Sequence, residues 1–194
     1  MPVFGVFLGE GNDYAWWEKA KDNFVLQKRD SQLAIGDDSK LIQKDRGEGK
    51  ILKLVSESQN GIDWFFTISR FRYRSTDLLG DHTTLHLSLA LPGIGLPEDI
   101  YLKFAKFAQK INPKITCVPS YGEMCYADLS CEELETYLKG TQFDFAFKIA
   151  ADRLVLPIES LMKESTKKNQ CKLLITNLGT NAHSDAIVLG TAFF

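Results

Sequence analysis

The chain has 194 residues, enough for one domain of ordinary size with a core of its own, and its 44% hydrophobic and 25% charged residues exclude disordered and low-complexity classes. Against 25 acidic side chains stand 23 basic ones, a net charge of -2, so no bulk positive field is present to gather nucleic acid or anionic lipid. Membrane insertion is not expected either, because no apolar run nears the roughly 18 residues of a spanning helix and Leu85 to Leu91 is broken by His86 and Ser88. Met1 to Leu8 lacks a basic segment and turns polar at Gly9, so it does not read as a signal peptide.

In chain order, most of the periodicity is that of strands. Val3 to Leu8 is a short apolar run, followed by Asn23 to Gln27, Gln32 to Ile35 and Lys50 to Ser56. Ile62 to Tyr73 alternates Trp64, Phe66 and Ile68 with Phe65, Thr67 and Ser69, then sets Phe71 and Tyr73 against Arg70, Arg72 and Arg74, giving an apolar and a basic face. Thr84 to Leu91 places Leu85, Leu87, Leu89 and Leu91 on one side. An amphipathic helix is predicted near 98–111, with Glu98 and Asp99 in its first turn and an apolar stripe through Ile100, Tyr101, Phe104, Phe107, Ala108 and Ile111. Ser130 to Leu138 predicts a second, short helix, opened by Ser130 and Glu133 as a capping box. Phe143 to Ile149, Arg153 to Leu156, Lys172 to Thr176 and Ala186 to Phe194 read as further strands, so the class is mostly β with a few helices in a single domain, 1–194.

Few residues carry a chemical signature. His82 and His86 lie in overlapping His-x-Thr/Ser-Leu tetrads, a pattern used by phosphoesterases with two histidines, but four residues apart on one strand they stand about 13 Å apart and cannot share a phosphate or a metal. His183 lies apart, in a polar loop. Gly93-x-Gly95 sits where a nucleotide loop would, yet it lacks the third glycine and any Gly-Lys-Ser/Thr, and a tight turn accounts for it. No Gly-x-Ser-x-Gly elbow is present. The four cysteines, Cys117, Cys125, Cys131 and Cys171, permit two disulfides, with buried thiols as the next reading and zinc last, since no Cys-x-x-Cys occurs. No cofactor and no metal are expected. Arg70, Arg72 and Arg74 form either a solvated face or a partner contact.

Several segments, read in order, resemble the C-terminal lobe of pepsin-like aspartic proteases. They are Val3 to Leu8, Leu33-Ala34-Ile35-Gly36-Asp37-Asp38, Asp63 to Ile68, Leu96-Pro97-Glu98-Asp99-Ile100-Tyr101, Phe145 to Ile149, Leu154 to Pro157, and the closing Ser184 to Phe194. The resemblance implies an acid-protease lobe of antiparallel sheets, with disulfides Cys131–Cys171 and Cys117–Cys125 and hence a secretory, extracellular or vacuolar setting. It implies further that Val188, Leu189 and Gly190 form the segment bracing the active-site loop, with Gly93 and Gly95 in the same scaffold.

The departure from the family lies at its chemistry. The enzymes use two aspartates, one from an Asp-Thr/Ser-Gly loop in each lobe, sharing a proton and holding one water. Here the aspartate's position falls on Ser88 or on Leu91, no carboxylate lies between Asp81 and Glu98, and neither motif occurs anywhere. The resemblance therefore implies an inactive lobe, no enzyme, that serves as a protein-binding or structural subunit. One part of a two-chain aspartic endopeptidase, with a partner carrying the N-terminal lobe, is the alternative, and an unrelated soluble α+β binding module the second. The expected partner is a protein, not nucleic acid.

Overall fold

The computed structural model describes residues 4–7, 32–35, 64–88, 90–148, 153–180 and 185–190. The expected strands over Asn23 to Gln27 and Lys50 to Ser56 lie outside these residues, as do Leu89, Ile149, His183 and Thr191 to Phe194. The chain divides into two compact units, 1–51 with Phe194 and 52–193. In the first, β1 (Phe4–Phe7) and β2 (Gln32–Ile35) pair antiparallel, with Phe4 opposite Ile35.

Among the described residues, the second unit holds an 11-stranded sheet. Its strands are β3 (Phe65–Tyr73), β4 (Thr76–Asp77), β5 (Thr84–Leu87), β6 (Ile94–Leu96), β7 (Ile115–Cys117), β8 (Met124–Ala127), β9 (Gln142–Phe147), β10 (Arg153–Pro157), β11 (Met162–Glu164), β12 (Cys171–Asn177) and β13 (Ile187–Leu189). They run in the order β10-β9-β3-β5-β13-β6-β12-β8-β7, with β4 beside β3 and β11 beside β12. The sheet is mixed, where the resemblance led us to expect antiparallel sheets: β13 is parallel to β5, and β12 to β6. The reason is topological. The chain leaves β5, turns and returns as β6, leaving a slot between two strands of opposite direction; β13 fills it and must run parallel to one of them.

Strand β3 spans both halves of the sheet. Phe65 to Thr67 pair with β5, while Ile68 to Tyr73 pair with β9, and the register slips between Ile68 and Arg70. Ser69 is the extra residue of this bulge. It moves the buried side chains from even to odd positions, so that Phe66 and Ile68 before it and Phe71 and Tyr73 after it all face the core. There Phe71 stacks on Phe145 at 4.6 Å and on Phe143 at 5.5 Å. Tyr73 meets Phe143 at 4.8 Å and Phe104 at 5.2 Å.

Phe104 arrives on α1 (Glu98–Ile111), which buries Ile100, Tyr101, Phe104, Ala105 and Ala108, a stripe at helical spacing. Two acidic residues follow Pro97 at its N-terminus, where the helix dipole favours them. The second helix, α2 (Cys131–Leu138), starts at Ser130 with both hydrogen bonds of the capping box made. Disulfides form in the two expected pairings. Cys117–Cys125 joins β7 to β8, and Cys131–Cys171 ties the start of α2 to the start of β12.

Candidate functional site

The residues between β5 and β6 form the part of the molecule with the most specific architecture. Strand β5 ends at Leu87, short of the Leu91 that the alternation predicts, because Ser88 starts a turn: its Oγ accepts from Ala90 N at 3.3 Å. From the slot below, β13 grips the loop at two points. Ser88 N donates to Leu189 O at 2.9 Å, and Gly190 N donates to Gly93 O at 2.7 Å. Leu189 lies opposite both Leu87 and Ile94, and Val188 opposite both His86 and Gly95.

Backbone approaches backbone so closely here that two positions, Gly190 and Gly93, admit only glycine. A Cβ on Gly190 would collide with Leu91 O and lie 2.6 Å from Gly93 O. On Gly93 it would collide with Leu174 O, and on Gly95 it would come 2.9 Å from the Leu178 methyls. The tight turn expected at Gly93-x-Gly95 is thus corrected: Gly95 lies within strand β6, where the Leu178 side chain can yield to a Cβ, and Gly93 is required by the close approach of the Leu174 backbone.

The loop itself, Ser88-Leu89-Ala90-Leu91-Pro92-Gly93, holds no titratable side chain, and none follows before Glu98. Ser88 is half-buried with its hydroxyl committed to the turn, Leu91 half-buried, Ala90 exposed. Nothing on it can take a proton or polarise a water. A broad open hollow of about 510 Å³, lined by Arg74, Lys139, Gly140, Thr141 and Gln142, has none of these loop residues in its wall.

The histidines do not converge. His86 stacks on Phe65 with ring centroids 4.6 Å apart. His82 precedes β5, and its ring bridges two acceptors, Asp185 O at 3.0 Å through Nδ1 and Asp99 Oδ1 at 2.8 Å through Nε2. Lys103 Nζ reaches the other Asp99 oxygen at 3.4 Å. Burial pushes the Asp99 carboxyl up, but the His82 hydrogen bond and charge, Ile100 N–H and Lys103 outweigh it and hold the group below the ordinary carboxylate value. This cluster fastens the start of α1 to the segment entering β13. Among the described residues no three His, Cys, Asp or Glu side chains group as metal ligands.

The arginines separate. Arg70 and Arg72 stay on the outer face of β3, whereas Arg74 enters the β3–β4 turn with φ 55° and lies over the Phe107 ring, 5.8 Å from its centroid. A residue not singled out from the sequence takes its place: Arg153 on β10, whose Nη1 lies 3.8 Å from Asp144 Oδ2. Only the pairing of β10 with β9 brings it there, and local patterning carries no signal of that.

The architecture is that of a pepsin-like lobe, mostly β with two α-helices among the described residues. No protein-family model and no curated protein matches the sequence. Solved structures do match the fold. Conglutin gamma, a basic 7S globulin from lupine seeds, is similar with a TM-score of 0.54 and 15% identity over 70% of this chain and 34% of that one. Basic 7S globulin from soybean is similar with a TM-score of 0.51 and 14% identity over 67% of this chain and 33% of that one. The chain thus spans about a third of the length of these structures, and the likeness is one of fold.

Proposed function

We infer that the chain is a catalytically inert pepsin-like lobe that serves as a protein-binding or structural subunit. One observation carries this reading: the loop between β5 and β6 keeps its full brace, with Gly190 beneath Leu91 and Gly93, yet bears no carboxylate. In a working enzyme of this type a carboxylate from each of two lobes holds one water and shares one proton. The position of that carboxylate falls here on Ser88 or Leu91, and neither a hydroxyl committed to Ala90 N nor an alkyl chain does its work.

The experiment is peptide hydrolysis by the purified chain at acid pH, with and without an inhibitor that mimics the tetrahedral intermediate. No inhibitable cleavage is expected, and cleavage abolished by the inhibitor would overturn the reading. A two-chain endopeptidase is the second reading, favoured by the intact frame. It requires that the other lobe be supplied in trans, and it would still hold only one of two carboxylates. The two disulfides are of the kind that persists in the secretory pathway, and we place the protein finally outside the cell or in a vacuole.

A further inference from the structure

We propose that the outer face of β3, β9 and β10 docks an extended acidic segment of a partner protein, whose alternate carboxylates are gripped by Arg70, Arg72 and Arg153. This rests on the reading above that the chain holds another protein, and adds where and by what chemistry. Two rungs of the sheet build the face. Arg72 lies opposite Asp144, itself opposite Val155; Arg70 lies opposite Ala146, itself opposite Arg153. Side chains alternate along each strand, so these residues share the face turned away from Phe71, Phe143 and Phe145.

Two guanidinium groups, those of Arg70 and Arg153, thus approach one carboxylate, with Arg72 opposite it in register, and the match is poor. Asp144 Oδ2 lies 4.0 Å from Arg70 Nε and 3.8 Å from Arg153 Nη1, both beyond hydrogen-bond length. Arg70 Nε, Arg72 Nε and Asp144 Oδ1 are buried and make no hydrogen bond. Asp77 lies across from Arg72, but its Oδ1 accepts from Leu79 N at 3.0 Å. Buried donors without acceptors are costly and rare, and a guanidinium is shaped to grip a carboxylate with two parallel bonds.

The spacing selects the ligand. Arg70 and Arg72 are alternate residues of one strand, about 6.7 Å apart, which is also the distance between alternate side chains of an extended peptide. Val155, 42% exposed beside them, offers apolar contact. The overall charge of -2 opposes a long polyphosphate more than a short acidic segment.

The test is titration of the intact chain with a labelled (Glu-Ser)₄ peptide, with (Lys-Ser)₄ and octathymidylate as comparisons. Selective binding of (Glu-Ser)₄ that weakens with salt is expected, with a loss of about tenfold in Arg70→Ser/Arg153→Ser. Asp144→Asn removes the built-in competitor and is expected to tighten binding about threefold, a gain that misfolding cannot produce. The proposal is overturned by absence of binding at millimolar peptide, by unchanged affinity in a folded double variant, by weaker binding in Asp144→Asn, or by equal binding of octathymidylate. A native complex that survives Arg70→Ser/Arg153→Ser would refute this surface while leaving the protein-binding reading in place.

Discussion

At Gly190 the brace leaves a gap that one methyl group closes. Both atoms that a Cβ would strike, Leu91 O and Gly93 O, belong to the backbone, so no side-chain rotation relieves the clash. Gly190→Ala is expected to cost about 3 kcal/mol or more, read as a lower urea midpoint. Gly122 provides the contrast: its φ of 78° disfavours alanine, yet nothing lies within 4 Å of an added Cβ, so Gly122→Ala should cost only about 1–2 kcal/mol. At Asp99 the prediction concerns pH. Its folded pKa lies below the ordinary aspartate value, so its stabilisation is complete above that value and is lost as pH falls through the lowered one. Asp99→Asn should therefore be less stable than the parent at neutral pH, with the gap in thermal midpoint closing as pH falls below the ordinary aspartate range.

Among the elements, the disulfides differ in what they restrain. Cys131–Cys171 closes 40 residues of sequence and Cys117–Cys125 only 8. By loop-closure entropy, replacing the long-range pair with serines should cost about 4 kcal/mol and the short-range pair about 2.5 kcal/mol, compared by chemical denaturation. How far the elements could be read locally follows from the same distinction of range. Helix α1 is bounded as its acidic start and apolar stripe predict, and α2 as its capping box predicts, because caps and periodicity act within a few residues. The change of parity from Phe66 and Ile68 to Phe71 and Tyr73 shows in the sequence, but the bulge at Ser69 that causes it does not, because it is a fact of pairing with β9. Strands β4, β6, β7, β8 and β11 have two to four residues each, too few for an alternation to show. Nor can any local pattern reveal that β13 enters between β5 and β6, or that β10 carries Arg153 to Asp144; both are facts of long-range pairing.

Taken whole, the molecule keeps the costly parts of a pepsin-like lobe, a loop gripped from below and two glycines without room for a side chain, while the loop itself holds no acid. A frame of this kind still presents surfaces, among them the unevenly paired arginines of β3 and β10. Holding another chain requires only such surfaces, whereas catalysis requires two carboxylates. The most direct test is the native mass of the protein isolated from its source, with every co-purifying chain sequenced. An inert binding lobe should be found in a stoichiometric complex with a protein chain that carries no Asp-Thr/Ser-Gly lobe. A chain that is always alone, or one joined to such a lobe in an assembly whose peptide hydrolysis is blocked by the inhibitor, would contradict it.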